Sequence, residues 1–228
     1  MKSTKHICLS LIITCYAFLF QPVHGPFVSA AESVIRVTTD GSSNDPSCGF
    51  TWDTPCNLEY ALSTRASEND EIWVKAGNYI PSGGSDTNKS FHLKSGVGLY
   101  GGFLGDETSR GQRSWVDNPT YLTGLHGTPH PYFVLISSLA NEFTVLDGFT
   151  VSGDSGIQVV DGYLTLQNLT IRNNQNAGNG GGLESNGGVV TIENVQFIGN
   201  TAENGGAIYS ASGSLRIKDS LFQNNAAP

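Results

Sequence analysis

The chain has 228 residues, of which only 14% are charged and 28 are glycine, a balance that argues against a helix-rich enzyme and for a fold with many turns. Its formal charge of −8 disfavours nucleic acid and anionic lipid as partners, because neither offers counter-charge to an acidic surface. Asn, Ser and Thr are abundant but sit between apolar residues, which speaks against a disordered chain.

Residues 1–30 read as a secretory signal peptide. Lys2 and Lys5 give a positive start, residues 7–20 are an almost unbroken apolar run, and Val28-Ser29-Ala30 ends in a small residue suited to signal peptidase. The run is short for a membrane span, and Gln21, Pro22 and His24 follow it at once. A lipoprotein reading through Cys15 fits less well, since Thr14 before it is large and the apolar run continues past it. Cleavage after Ala30 removes two lysines and no acid, which leaves 10 basic against 20 acidic residues and a net charge of −10. The expected mature chain is exported and carries no transmembrane segment.

Residues 31–96 are expected to hold an N-terminal cap and the first strands. Val34-Ile35-Arg36-Val37 and Glu71-Ile72-Trp73-Val74 are strand-like. Between them lie Cys48 and Cys56, the two cysteines left after cleavage, in a loop with Pro46, Gly49 and Pro55. In an exported protein this pair points to a disulfide, and with no CxxC or neighbouring His a metal site is the weaker reading. Thr54-Pro55-Cys56-Asn57 looks like a helix start, with Thr54 as cap and Pro55 in the first turn. Leu58, Ala61 and Leu62 would then share one face and cover the open end of whatever follows.

Residues 97–228 are expected to be the coils of a right-handed parallel β-helix. Val97-Gly-Leu99-Tyr100, Phe133-Val-Leu135-Ile136 and Phe143-Thr-Val145-Leu146 read as early, irregular coils. His126 and His130 have a helical spacing, but Gly127 and Pro129 between them rule out a helical metal pair. Three segments then superpose at offsets of 26 and 25 residues: Leu164–Asn174, Val190–Asn200 and Leu215–Asn225. A weaker copy, with Leu146, Gly148, Phe149, Val151 and Asp154, precedes them by 20 residues. Within each copy apolar residues alternate, a small polar residue intervenes (Asn168, Asn194, Asp219), and a second apolar pair follows. The two short strands cannot fold back as a hairpin without a two-residue turn, so each is expected to pair in parallel with its counterpart one coil on. Leu166, Ile192 and Ile217 then form one interior file, and Ile171, Phe197 and Phe222 another. Asn174, Asn200 and Asn225 share a register, suited to a left-handed bend and to amide bonds from coil to coil. Residues 176–182 and 203–206 read as Gly-rich loops projecting from one side. The chain stops directly after a repeat with no polar terminal cap, so the expectation is a piece of a longer protein, with a membrane anchor downstream, or a last coil covered by a partner.

The motifs resemble a known family. Gly205-Gly206-Ala207-Ile208, between Phe197-Ile-Gly-Asn200 and Phe222-Gln-Asn-Asn225, is similar to the paired GGA(I/L/V) and FxxN motifs of chlamydial polymorphic outer membrane proteins. The resemblance covers residues 164–228, and Gly180-Gly-Gly-Leu183 and Ile171-Arg-Asn-Asn174 depart from it. It implies export, surface display and adhesion, with Phe197, Asn200, Gly205, Gly206, Ala207, Ile208, Phe222 and Asn225 as the candidate adhesion-motif residues and a cell-surface protein or glycan as the partner. The segment from Ser47 to Cys56, with Asp70–Tyr79, Leu99–Phe103 and Glu107–Arg110, resembles secreted bacterial β-helix proteins more broadly.

The rival reading is a polysaccharide lyase or glycoside hydrolase of the pectin lyase-like fold, which would need clustered carboxylates and a basic group for a sugar acid. Arg216-Ile217-Lys218 is similar to the RIK motif of polygalacturonases, but the Asp-Asp pair and Gly-His-Gly motif that accompany it there are absent. Alternation explains the tripeptide, with Ile217 inward and its neighbours outward. Asp147, Asp154 and Asp161 are the best acidic group; turn chemistry accounts for them, with calcium as the alternative. Asn88-Lys-Ser90 and Asn168-Leu-Thr170 fit the N-glycosylation pattern. The sequence therefore points to an all-β, non-enzymatic surface protein without a cofactor.

Overall fold

The structure, a computed structural model, describes residues 33–81, 90–124 and 132–228. The signal segment, Asn88, His126 and His130 lie outside the described residues. Successive strands stack in parallel along three faces, giving a β-solenoid of about five turns. Residues Glu32–Pro228 form one compact unit.

The first face runs from Val34–Ser42 through Glu71–Lys75, Gly98–Phe103 and Val145–Asp147 into the long strands Ser155–Arg172, Leu183–Ile198 and Ile208–Lys218. Its inward file is Ile35, Ile72, Leu99, Leu146, Leu166, Ile192 and Ile217, each opposite the next. The second face stacks Tyr79, Leu122, Val151, Ile171, Phe197 and Phe222. Both files place the repeat residues in the register that alternation predicts, including the 20-residue offset to Leu146 and Val151. Apart from the last member, every residue in these files is buried. Each such side chain contributes about 1.5–3 kcal/mol by leaving water. No coil closes that core alone, so the stability is shared between neighbours.

A third face completes each coil. Phe91, Leu135, Ile157, Leu183 and Ile208 stack on it in register. Leu135 belongs to the segment Phe133–Ile136 that reads as an early coil, whereas Leu183 and Ile208 lie just beyond the glycine runs, where the sequence shows no clean alternation. The runs themselves are not merely projecting loops, since Gln175–Asn179 and Thr201–Asn204 pair in parallel as a small second sheet.

Three corners separate the faces, each marked by a recurring residue of positive φ; Gly162 beside Asp161, and Gly180 and Gly205 just before the third face, share that conformation. Gly148, Asn168, Asn194 and Asp219 occupy the first corner, Gly153, Asn173, Gly199 and Asn224 the second, and Leu139, Asp161, Gly187 and Gly213 the third. The expectation that Asn174, Asn200 and Asn225 make the bend is thus corrected by one position. The preceding residue takes the positive φ, and this turns the next side chain into the core. Gly, Asn and Asp hold eleven of these twelve positions because they tolerate that backbone with least strain. Leu139, with φ 51° and its side chain exposed, is the exception. Leu139→Asn is expected to raise stability by about 1 kcal/mol, read as a higher denaturant midpoint at unchanged slope.

The N-terminal end is closed by Leu58–Tyr60 and the continuing turn Ala61–Arg65, whose Leu58, Ala61 and Leu62 are buried in the main core as expected. The cap residue is Asn57, not Thr54: its side chain accepts from the backbone N–H of Glu59 at 2.9 Å and of Tyr60 at 3.4 Å. Residues 54–56 cannot begin the helix because tertiary bonds hold them extended. Gly49 N–H donates to the Thr54 carbonyl, Ser42 N–H to that of Pro55, and Cys56 bridges Val37 and Ser42. Cys48 and Cys56 form the expected disulfide, buried, with a Cα–Cα distance of 5.0 Å. Replacing both by serine is expected to lower stability by about 2–3 kcal/mol, the chain-entropy value for so short a loop, in a denaturation series with and without reductant.

Candidate functional site: the repeat motifs and the outer faces

The residues singled out as adhesion-motif candidates hold the coils together. Phe197 is buried and its ring stacks on Phe222 with centroids 5.0 Å apart and planes within 6°. Asn200 is buried as well. Its Nδ2 donates to the Ile171 carbonyl at 2.8 Å and to Asn225 Oδ1 at 2.9 Å. Its own Oδ1 accepts from both the backbone N–H and the Nδ2 of Asn174, at 3.1 and 2.9 Å. Asn225 closes the ladder by donating to the Phe197 carbonyl at 2.8 Å. This is the coil-to-coil amide ladder that the shared register suggested.

The glycines follow the same logic. Gly205 has φ 63°, and a Cβ there would collide with the Ile208 carbonyl. A Cβ on Gly206 would collide with the carbonyl of Ala226 one coil on, just as one on Gly181 would approach that of Gly206 to 2.5 Å. Ala207 and Ile208 are half-buried against the core. Of the eight candidates, Phe222 and Asn225 lie in the last coil and keep part of their surface in solvent.

What remains outside is a set of outward files that change from coil to coil. One reads Trp73, Tyr100, Asp147, Gln167, Glu193 and Lys218. Its C-terminal part is polar and exposed: Lys218 Nζ donates to Glu193 Oε1 at 2.5 Å and lies 3.3 Å from Asp219. Hydrogen bonding to Lys218, and then its charge, hold the Glu193 carboxyl below its ordinary value, and the same bond raises the lysine. Beside it the corner amides are linked, Asn194 Nδ2 to Asn168 Oδ1 and Asn168 Nδ2 to Asp147 Oδ1, both at 2.8 Å. Asn168 is thus committed to the corner. An open cleft of about 400 Å3 is lined by Gln167, Asn168, Glu193, Asn194 and Asp219. Ile217 points inward and Lys218 outward, as alternation predicts.

The N-terminal part of that face is aromatic and cationic, a feature the motifs did not reveal. Trp73 stacks on Phe103 at 4.8 Å, and Trp52 packs on the same ring at 5.8 Å. Arg36 lies 5.5 Å over Trp73, Arg110 4.5 Å over Tyr100, and Arg113 5.1 Å over Trp115. Arg113 and Asp147 form a salt bridge at 2.6 Å with both side chains only 7% exposed. Burial raises the Tyr100 hydroxyl above its ordinary range. The segment between Phe103 and Thr120 is held by Glu107, whose carboxylate accepts the N–H groups of Leu104, Gly105 and Asp106. Burial pushes this carboxyl up, but the backbone donors together outweigh it and keep it below the usual glutamate value. The signal available in the sequence was the concentration of tryptophan and arginine here in a chain poor in charge.

The three acids proposed as a group are separated by the corners. Asp147 ends a strand of the first face, Asp154 follows the second and Asp161 turns the third, beside Gly187. Among the described residues no three His, Cys, Asp or Glu side chains converge as metal ligands. Among the same residues no helix is long and apolar enough to cross a membrane, which says nothing of a β-barrel.

The geometry defines a parallel β-solenoid built from a repeat with inward aromatic, amide and glycine positions. A family model, the Chlamydia polymorphic membrane protein (Chlamydia_PMP) repeat, matches residues 194–211. The matched stretch runs from the first corner of one coil, through the Phe197 and Asn200 rungs, to the third face of the same coil. No curated protein and no solved structure matches the chain.

Proposed function

We propose that this protein is exported and displayed at a cell surface as a non-enzymatic β-helical rod, which offers its outer faces and loops to a protein or glycan of another surface. The observation that carries this reading is the division of labour within the repeat. Residues that recur from coil to coil point inward or turn a corner, whereas the outward file changes from Gln167 to Glu193 to Lys218. A scaffold that repeats its interior and varies its exterior suits recognition by shape and charge. The match to a repeat named for membrane proteins of Chlamydia supports the surface location.

The test is adhesion of the purified chain to cells and extracellular matrix, compared with a Glu193→Lys/Lys218→Glu variant. The exchange keeps the ion pair but inverts the outer pattern, so folding is retained while binding falls. Absence of adhesion to any surface would leave a spacer and overturn the proposal. So would calcium-dependent release of unsaturated sugars from pectin or alginate, the mark of a lyase.

A further inference from the structure

We propose that the outer side of the first face, over the coils of Phe143, Tyr163 and Val189, is a binding platform for an uncharged oligosaccharide. The inference rests on the display reading and narrows it to one face and one ligand class.

Columns of outward side chains make up this surface. Tyr163 lies opposite Val189, and the register that sets Thr165 opposite Val145 carries Phe143 to Tyr163. The first column is thus Phe143, Tyr163 and Val189, all exposed. Beside it stand Val145, Thr165 and Thr191, half-buried, and then Asp147, Gln167 and Glu193. The hydroxyls of Tyr163, Thr165 and Thr191 have no hydrogen-bond partner among the described residues. At the adjoining corner Leu139 takes the left-handed backbone that Asp161, Gly187 and Gly213 take in the other coils, and its side chain is 75% exposed. The fold gains nothing from a leucine there. A strained, exposed apolar residue beside exposed rings marks a contact with something outside the chain.

Size and chemistry choose the occupant. Two coil steps along the stack and four residues along the strand span about 10 by 13 Å. That is about 130 Å2, against about 800 Å2 per partner for a stable protein interface, and it fits a short oligosaccharide. A pyranose ring carries C–H groups on its face and hydroxyls round its edge. The rings of Phe143 and Tyr163 suit the first by stacking, and the unpaired threonine hydroxyls suit the second, since each can donate and accept. Neither of the first two columns holds a charge, and the exposed Glu142 and Asp161 at their border turn away an acidic sugar.

The experiment titrates the purified chain by calorimetry with cellohexaose, mannohexaose and chitohexaose, and with hexagalacturonate as the acidic counterpart. Saturable binding of a neutral hexamer is expected, unchanged between low and high salt, with none of hexagalacturonate. Phe143→Ser and Tyr163→Ser are each expected to weaken it about tenfold, since each removes one stacking ring. Both side chains are exposed, so the urea midpoint should stay where it is and a folding defect cannot imitate the loss. Phe50→Ser, which removes an exposed ring near the N-terminal cap, is the control and should bind as the parent does. No saturable binding of any neutral hexamer, tighter binding of hexagalacturonate, or binding unmoved by Phe143→Ser and Tyr163→Ser would overturn the proposal. So would self-association in sedimentation that Tyr163→Ser abolishes, which would give the face to a second copy of the chain. Adhesion to cells that persists without any hexamer binding would sink this inference alone, whereas adhesion to no surface sinks the display reading.

Discussion

Replacing Arg113 by methionine is expected to lower the stability of the chain by about 3–5 kcal/mol, the cost of removing one partner of a buried ion pair. Arg113 reaches Asp147 Oδ2 at 2.6 Å, and its other nitrogen donates to the Gly101 carbonyl at 2.9 Å. Without the guanidinium, the Asp147 carboxylate stays buried with Asn168 as its remaining side-chain donor, at 2.8 Å. The penalty is therefore the unpaired charge rather than the attraction lost. The double variant Arg113→Met/Asp147→Leu should recover most of it, because an apolar pair of similar volume has no charge to strand. Urea unfolding of the single and double variants gives the coupling directly. Lys218→Met, which breaks the exposed pair with Glu193, should leave the urea midpoint essentially unchanged, because solvent screens that pair. A similar loss in Arg113→Met and in the double variant would contradict the account.

A second large effect belongs to the amide ladder. Asn200→Ala should cost about 3–5 kcal/mol, since it strands several buried polar groups at once. The Ile171 carbonyl loses its donor, and the backbone N–H and Nδ2 of Asn174 lose their acceptor. Asn204→Ala is the control. Its Nδ2 bonds Asn179 Oδ1 at 3.0 Å from an exposed position, and its loss should stay within about 0.5 kcal/mol. Calorimetry on the two variants would separate a buried ladder from a superficial one. Equal shifts would mean that the fold does not depend on the inner amides.

These two sites also show how far the sequence carries the fold. The ladder was legible because Asn174, Asn200 and Asn225 recur at the coil spacing and the flanking strands fix their register. The inward files on two faces followed from alternation alone. Of the third face only Phe133–Ile136 was legible; in the repeats its strands begin at glycine runs and bury small residues such as Ser185 beside Leu183, so no alternation of large apolar residues marks them. The corner was misplaced by one residue because both Asn173 and Asn174 suit a bend, and only the backbone shows which one turns. The helix start was misread for a different reason: Thr54 and Pro55 favour one locally, but two backbone bonds, and the disulfide and bridges of Cys56 next to them, draw them into the strand stack. The Arg113–Asp147 pair was not legible at all. Its members are 34 residues apart and meet only because an inserted segment folds over the outer face. The candidate motif residues were found by their repetition, and what they hold in place is the coil.

The corners have a consequence for how such a protein changes length. A coil enters and leaves at the same recurring left-handed positions, whatever lies between them. Excision or duplication of 26 residues between Leu166 and Ile192 would join strands that already share a register. The hydrogen-bond partners across the seam would be the ones used everywhere else. The long segment between Phe103 and Thr120 shows the same tolerance in another form, for it departs at one corner and returns to the next strand without disturbing the stack. The rod can be lengthened, shortened or decorated in genetic steps of whole coils, and none of those steps asks the chain to find a new fold.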